Sequence, residues 1–98
     1  AGRQEEAERH LLTSVEHCRR RFDPYRLGRA LYELASHYWF IAELVPSRRP
    51  LSNCASNALE EATTLLRGVG ARHDLWLAES LLLDIQRHPA GYRPQWAA

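Results

Sequence analysis

Apolar residues recur every three or four positions along almost the whole chain, and no stretch alternates with the period of two that a strand requires. The spacing predicts four helices, near residues 3–21, 24–45, 52–67 and 73–87. The breaks between them carry their own chemistry. Asp23 can cap free amide groups while Pro24 suits a first helical position. Pro46 and Pro50 bracket a second break, with Ser52 as the expected cap of the third helix. Gly68 and Gly70 end that helix, because glycine accepts the left-handed backbone of a helix exit. Asp74 is the expected cap of the fourth helix, and Pro89 lies just past its end.

The helices are of two kinds. In the third, Ala55, Ala58, Leu59, Ala62, Leu65 and Leu66 share an arc of about 120°, and the rest of the surface is polar. The first resembles it, with Ala7, Leu11, Val15, Cys18 and Phe22 on one side. Each of these two is expected to face a core once. The second helix is apolar over close to 180°. Its seam of Leu27, Leu31, Leu34, Tyr38, Ile41 and Val45 is flanked by a small-residue stripe, Gly28, Ala35 and Ala42. Beyond that lies an aromatic stripe, Tyr25, Tyr32 and Trp39. The fourth helix has Leu75, Leu77, Ala78, Leu81, Leu82 and Ile85 on its main face, with Trp76 and Leu83 on the far side. Narrow and broad apolar faces therefore alternate, as in a helical solenoid whose inner helices touch neighbours on two sides.

Composition narrows the functional classes. The chain has 98 residues and a net charge of +1, and its two halves differ little in charge, so neither nucleic acid nor a membrane surface is an expected partner. No apolar run approaches the roughly 20 residues of a membrane span. All 13 basic residues are Arg and Met is absent, which points to a GC-rich bacterial source and to a fragment of a larger protein. Cys18 and Cys54, without a CxxC partner, are expected to be free thiols in the cytoplasm. Five His residues form no metal-ligand spacing, and no nucleophile motif occurs, so no catalysis, metal or cofactor is expected. Glu33 and His37 are four apart and read as a surface pair, and Arg19-Arg20-Arg21 as a solvated cluster favoured at a helix C-terminus.

The halves also match in sequence. Glu5-Glu6-Ala7 with Leu11-Leu12 recurs as Glu60-Glu61-Ala62 with Leu65-Leu66, and Leu27-Gly28-Arg29-Ala30-Leu31 as Leu77-Ala78-Glu79-Ser80-Leu81, at offsets of 50 to 55. With Leu27-Gly28 and Leu31, Leu77-Ala78 and Leu81, and the small-large-small trio Ala55, Leu59 and Ala62, most of residues 5–87 resembles the tetratricopeptide repeat family. The stretch DPYRLGRALYELA looks like the degenerate repeats of large bacterial regulatory and signalling proteins. The family repeat is about 34 residues long. The longer spacing here requires a longer second helix and following loop, and Leu31 stands where the family carries an aromatic, with Tyr32 one step off.

The resemblance implies an all-α fold of antiparallel helix pairs stacked as a short solenoid over residues 1–88, with an irregular tail at 89–98. It implies a protein-interaction scaffold whose concave face binds a peptide or protein. Carried over by position, that face comprises Tyr25, Arg29, Tyr32 and Glu33, with Leu75, Glu79 and Leu82 from the next unit. Arg29 can fork onto a carboxylate while the rings flank an extended peptide. The competing reading makes Tyr25, Tyr32 and Trp39 core residues, Trp39 foremost. Trp76 and Leu83 point to self-association, to a missing neighbour or to cover by the tail. The alternative function is a structural or homodimerisation segment without a groove, and small-ligand sensing between the helices stays open.

Overall fold

A computed structural model describes residues 2–87, and the tail expected over 89–98 lies outside the described residues. The described chain is all helical. Helix α1 spans Gly2–Arg20, α2 Pro24–Leu44, α3 Leu51–Gly68 and α4 Arg72–Arg87, with one 3-10 turn at Pro46–Arg48. Each boundary falls within one residue of its expected place, because the punctuation is chemical. The Asp23 carboxylate accepts a hydrogen bond from the Arg26 amide at 3.0 Å, and Pro24 opens α2. Two expected caps take other roles. Pro50, not Ser52, precedes α3 and makes no side-chain cap bond, leaving Ser52 inside the helix. Asp74 sits in the first turn of α4, where its carboxylate is engaged by α2 instead.

Each helix packs on the next in sequence, the α2–α3 contact being the most extensive, while α1 and α4 share no comparable interface. The core is built from Leu27, Ala30, Leu31, Leu34 and Ala35 of α2, the row Ala55, Ala58, Leu59, Ala62 and Leu66 of α3, Val15 of α1, and Ala78 and Ile85 of α4. The small stripe of α2 explains the tight α2–α3 fit. Gly28, Ala35 and Ala42 are all buried. A Cβ at position 28 would lie 2.8 Å from Cγ and 2.9 Å from Cδ2 of Leu66, a side chain with no exposure to solvent. One expectation changes. Helix α3 is not a one-sided cover but lies between α2 and α4, and Thr63, from its nominally polar face, is buried as a result. Its alanines make this possible, since small side chains let two helices approach one.

The two hairpins close with the same turn. At the end of α1 the Phe22 amide donates to the Arg19 carbonyl and the Asp23 amide to the Cys18 carbonyl. At the end of α3 the Gly70 amide donates to Arg67 and the Ala71 amide to Leu66. Both are Schellman turns, whose pivotal residue is left-handed, with φ of +53° at Phe22 and +74° at Gly70. The pivots are 48 positions apart (70 − 22), so the structure registers the hairpins at 48 rather than at the 50 to 55 read from the sequence. In this register Ala7 pairs with Ala55, Leu11 with Leu59, Leu27 with Leu75, Ala30 with Ala78 and Leu34 with Leu82.

The turn also overturns the placement of Phe22. Instead of completing the apolar face of α1, it is 89% exposed, because the left-handed pivot swings it off the helix. A bulky residue there costs about 1–2 kcal/mol relative to the right-handed region. Phe22→Gly is therefore expected to raise stability by about 0.5–1 kcal/mol, after the larger backbone entropy of glycine in the unfolded chain is set against the relieved strain. Gly28→Val is expected to lower it by about 2–3 kcal/mol through overpacking against Leu66. Urea unfolding checks both, with a shifted midpoint at unchanged slope.

Candidate functional site

Helix α2 is covered by α1 on one side and α3 on another, and what remains is a free face running the length of the helix. Its N-terminal half is polar. There the Tyr25 hydroxyl donates to Asp74 Oδ2 at 2.9 Å, and Arg29 Nε lies 3.9 Å from Asp74 Oδ1. These contacts tie the start of α4 to α2. They leave a notch of about 80 Å³ lined by Arg29, Tyr32, Glu33, Leu66, Asp74 and Leu77. A water occupies roughly 30 Å³ of liquid, so the notch has room for one small side chain or a few waters, not for a substrate of ordinary size. More than half of the Arg29 side chain remains exposed, and Glu33 is exposed beside it. An arginine fork and a carboxylate at the rim of an amphipathic notch suit the backbone or a polar side chain of a bound peptide.

The C-terminal half of the same face is apolar. Phe40 and Leu44 are each 59% exposed, one turn apart. Phe40 follows Glu33 by seven residues, which places it on the same stripe. Neither residue belongs to the leucine seam, the small stripe or the aromatic stripe, and that exclusion was the available signal for them. The face spans about 28 Å from Tyr25 to Leu44, at about 1.5 Å per residue.

The expected site residues separate in space. Arg29, Tyr32 and Glu33 meet at the notch, and Tyr25 borders it through Asp74. Leu75 and Leu82 are half-buried against the core. Glu79 lies 3.6 Å from Arg67 and lines, with Leu82 and Leu83, a hollow between α3 and α4. At the notch, helix α4 contributes Asp74 and Leu77 rather than Leu75, Glu79 and Leu82. The aromatic stripe divides as well. Tyr32 and Trp39 pack against the core, while Tyr25 stays exposed.

Two polar ties hold α1. Arg19 forms a paired hydrogen bond with Glu61 of α3, at 2.5 and 2.7 Å. This bond raises the Arg19 pKa and lowers that of Glu61. Arg20 pairs with Glu16 one turn back, so two arginines of the Arg19–Arg21 run are engaged within the chain. At the other end, the Tyr38 hydroxyl donates to Glu8 Oε1 at 3.2 Å. Glu8 also lines a cavity of about 230 Å³ together with residues including Glu5, His37, Ile41 and Arg48. His37 lines that cavity and Glu33 the notch. Both cysteines are free thiols, Cys18 half-buried and Cys54 exposed. Among the described residues, no group of three or more His, Cys, Asp or Glu is placed to hold a metal ion, and no helix is long and apolar enough to cross a membrane.

No family model, curated protein or solved structure matches the chain.

Burial, reinforced by the charge and hydrogen bond of Glu8, pushes the Tyr38 pKa up to about 12. The folded chain then keeps a proton that the unfolded chain has released above pH 10, so the stability from this group is complete below pH 10 and lost as pH rises to about 12. Phenolate absorbance is expected to show one tyrosine titrating near 12 that disappears in Tyr38→Phe. The urea midpoint of the wild type should also fall more steeply across that window than that of the variant.

Proposed function

We propose that this chain is a protein-interaction module, a helical repeat scaffold of tetratricopeptide type from a larger bacterial cytoplasmic protein. Its free α2 face binds a peptide or protein partner. One observation carries the proposal. A helix already buried on two sides still exposes Arg29, Glu33, Phe40 and Leu44 along one stripe, and Phe40 and Leu44 are each 59% exposed. Exposed large apolar residues grouped in this way mark contact surfaces. The polar end supplies orientation through Arg29 and the notch, and the apolar end supplies burial through Phe40 and Leu44. The repeated hairpin with its recurrent Schellman turn supports a stacked-repeat origin. Two free thiols suit a reducing compartment.

Selection of random peptides on the immobilised full chain, followed by calorimetry of the enriched sequences, tests the proposal. Arg29→Glu and Phe40→Ala are each expected to weaken binding by about tenfold or more, as truncating an anchor at an interface typically does, with helicity retained in both; the unfolding midpoint stays with Phe40→Ala and falls with Arg29→Glu, which sets a carboxylate near Asp74. Binders that ignore both substitutions would assign the interaction elsewhere and remove the proposal.

A further inference from the structure

The cavity lined by Glu8 is walled by α1, the end of α2, the 3-10 turn and the start of α3, and its lining carries both signs of charge. From α1 come Glu5 and Glu8, three residues apart and therefore on one face of that helix. From the 3-10 turn comes Arg48. Ile41, which is buried, and Val45 and Leu51, which are half-buried, make its apolar wall.

The fold makes little use of these charges. Glu5, Glu8 and Arg48 enter none of the ion pairs formed among the described residues. Glu8 accepts from the Tyr38 hydroxyl through Oε1, and Oε2 remains as an acceptor. Two carboxylates one helical turn apart repel each other unless a cation lies beside them. Arg48 is close enough to favour the charged form of Tyr38, so its guanidinium and the carboxylates act on one region. The volume of about 230 Å³ equals that of roughly eight waters of the liquid. It falls below the roughly 300–1,000 Å³ of pockets for drug-sized ligands, which sets the scale at a single small metabolite.

We infer that this cavity binds a free α-amino acid with a branched aliphatic side chain, such as leucine. The ammonium group donates to the Glu5 and Glu8 carboxylates, and the ligand carboxylate takes the guanidinium fork of Arg48. The side chain covers Ile41, Val45 and Leu51, removing apolar surface from water. His37 and Ser47 add hydrogen-bonding groups to the same lining. A ligand of one charge leaves either the carboxylates or the guanidinium without a partner, and an uncharged one leaves both. The cavity shares no residue with the α2 notch, nor does it include Phe40 or Leu44, so the two sites hold or fail separately.

Titration of the isotope-labelled full chain with leucine, followed by amide chemical shifts, tests the inference. Saturable shifts are expected at Glu5, Glu8 and Arg48. Leucinamide, which lacks the carboxylate, and isocaproate, which lacks the ammonium group, are each expected to bind about tenfold or more weakly, as loss of a charge-assisted hydrogen bond requires. Arg48→Gln should weaken leucine by a similar factor and leave leucinamide unchanged. The double variant Glu5→Gln/Glu8→Gln should weaken leucine and leave isocaproate unchanged. A merely structural effect would weaken all three ligands alike, and circular dichroism verifies that each variant is folded. The inference is overturned if leucine, isoleucine and valine give no saturable shifts at these residues. It is overturned equally if leucinamide or isocaproate binds as tightly as leucine, or if the variants weaken all three ligands alike or none.

Discussion

The close approach of α2 and α3 at Gly28 is the contact on which the other packing depends. With no Cβ at that position, Leu66 is fully buried against α2, and Ala35 joins the same core. Because α3 meets α2 through small residues, it has surface left for α4. Because α4 sits mainly on α3 and meets α2 at its start, α2 keeps a face that is largely uncovered among the described residues. The candidate site is therefore a consequence of packing. It exists where the chain stopped covering its most apolar helix.

Helix α1 is held less firmly. Of its 19 residues only Val15 is buried, with Leu11 and Cys18 packed half-buried beside it. Much of its anchoring is polar, through Arg19 to Glu61 at one end and Glu8 to Tyr38 at the other. Exposed ion pairs contribute little each, about 0–1 kcal/mol. Local opening should therefore cost least at α1, while the α2–α3 seam opens only with the whole domain. Its outer row of His10, Ser14 and His17 is polar and exposed.

Local signals were readable where they act locally. The Asp23-Pro24 start, the glycine exit at Gly70 and the prolines at 46 and 50 set boundaries through interactions a few residues long. The seven-residue stripe of Gly28, Ala35 and Ala42 announced a close helix neighbour and has one. What escaped the sequence depended on a partner element. Asp74 looks like a cap in isolation, but Tyr25 and Arg29 of α2 claim its carboxylate. Phe22 looks like the end of an apolar face, but the turn into α2 reverses its backbone. The repeat was visible, while its register was not. Similar residue strings at 50 and 55 outweighed the turn geometry, which becomes apparent only through the hydrogen bonds of Cys18 and Leu66.

By itself, the sequence determined the helices, their limits and which of their faces are apolar, because periodicity and capping are properties of single segments. The tertiary structure decided which apolar face stays uncovered. Leu27, Phe40 and Trp76 are all large and apolar, yet Leu27 is buried and the other two are open to solvent. The difference lies in where α1, α3 and α4 cross α2 and one another, and a helix wheel holds no record of those crossings.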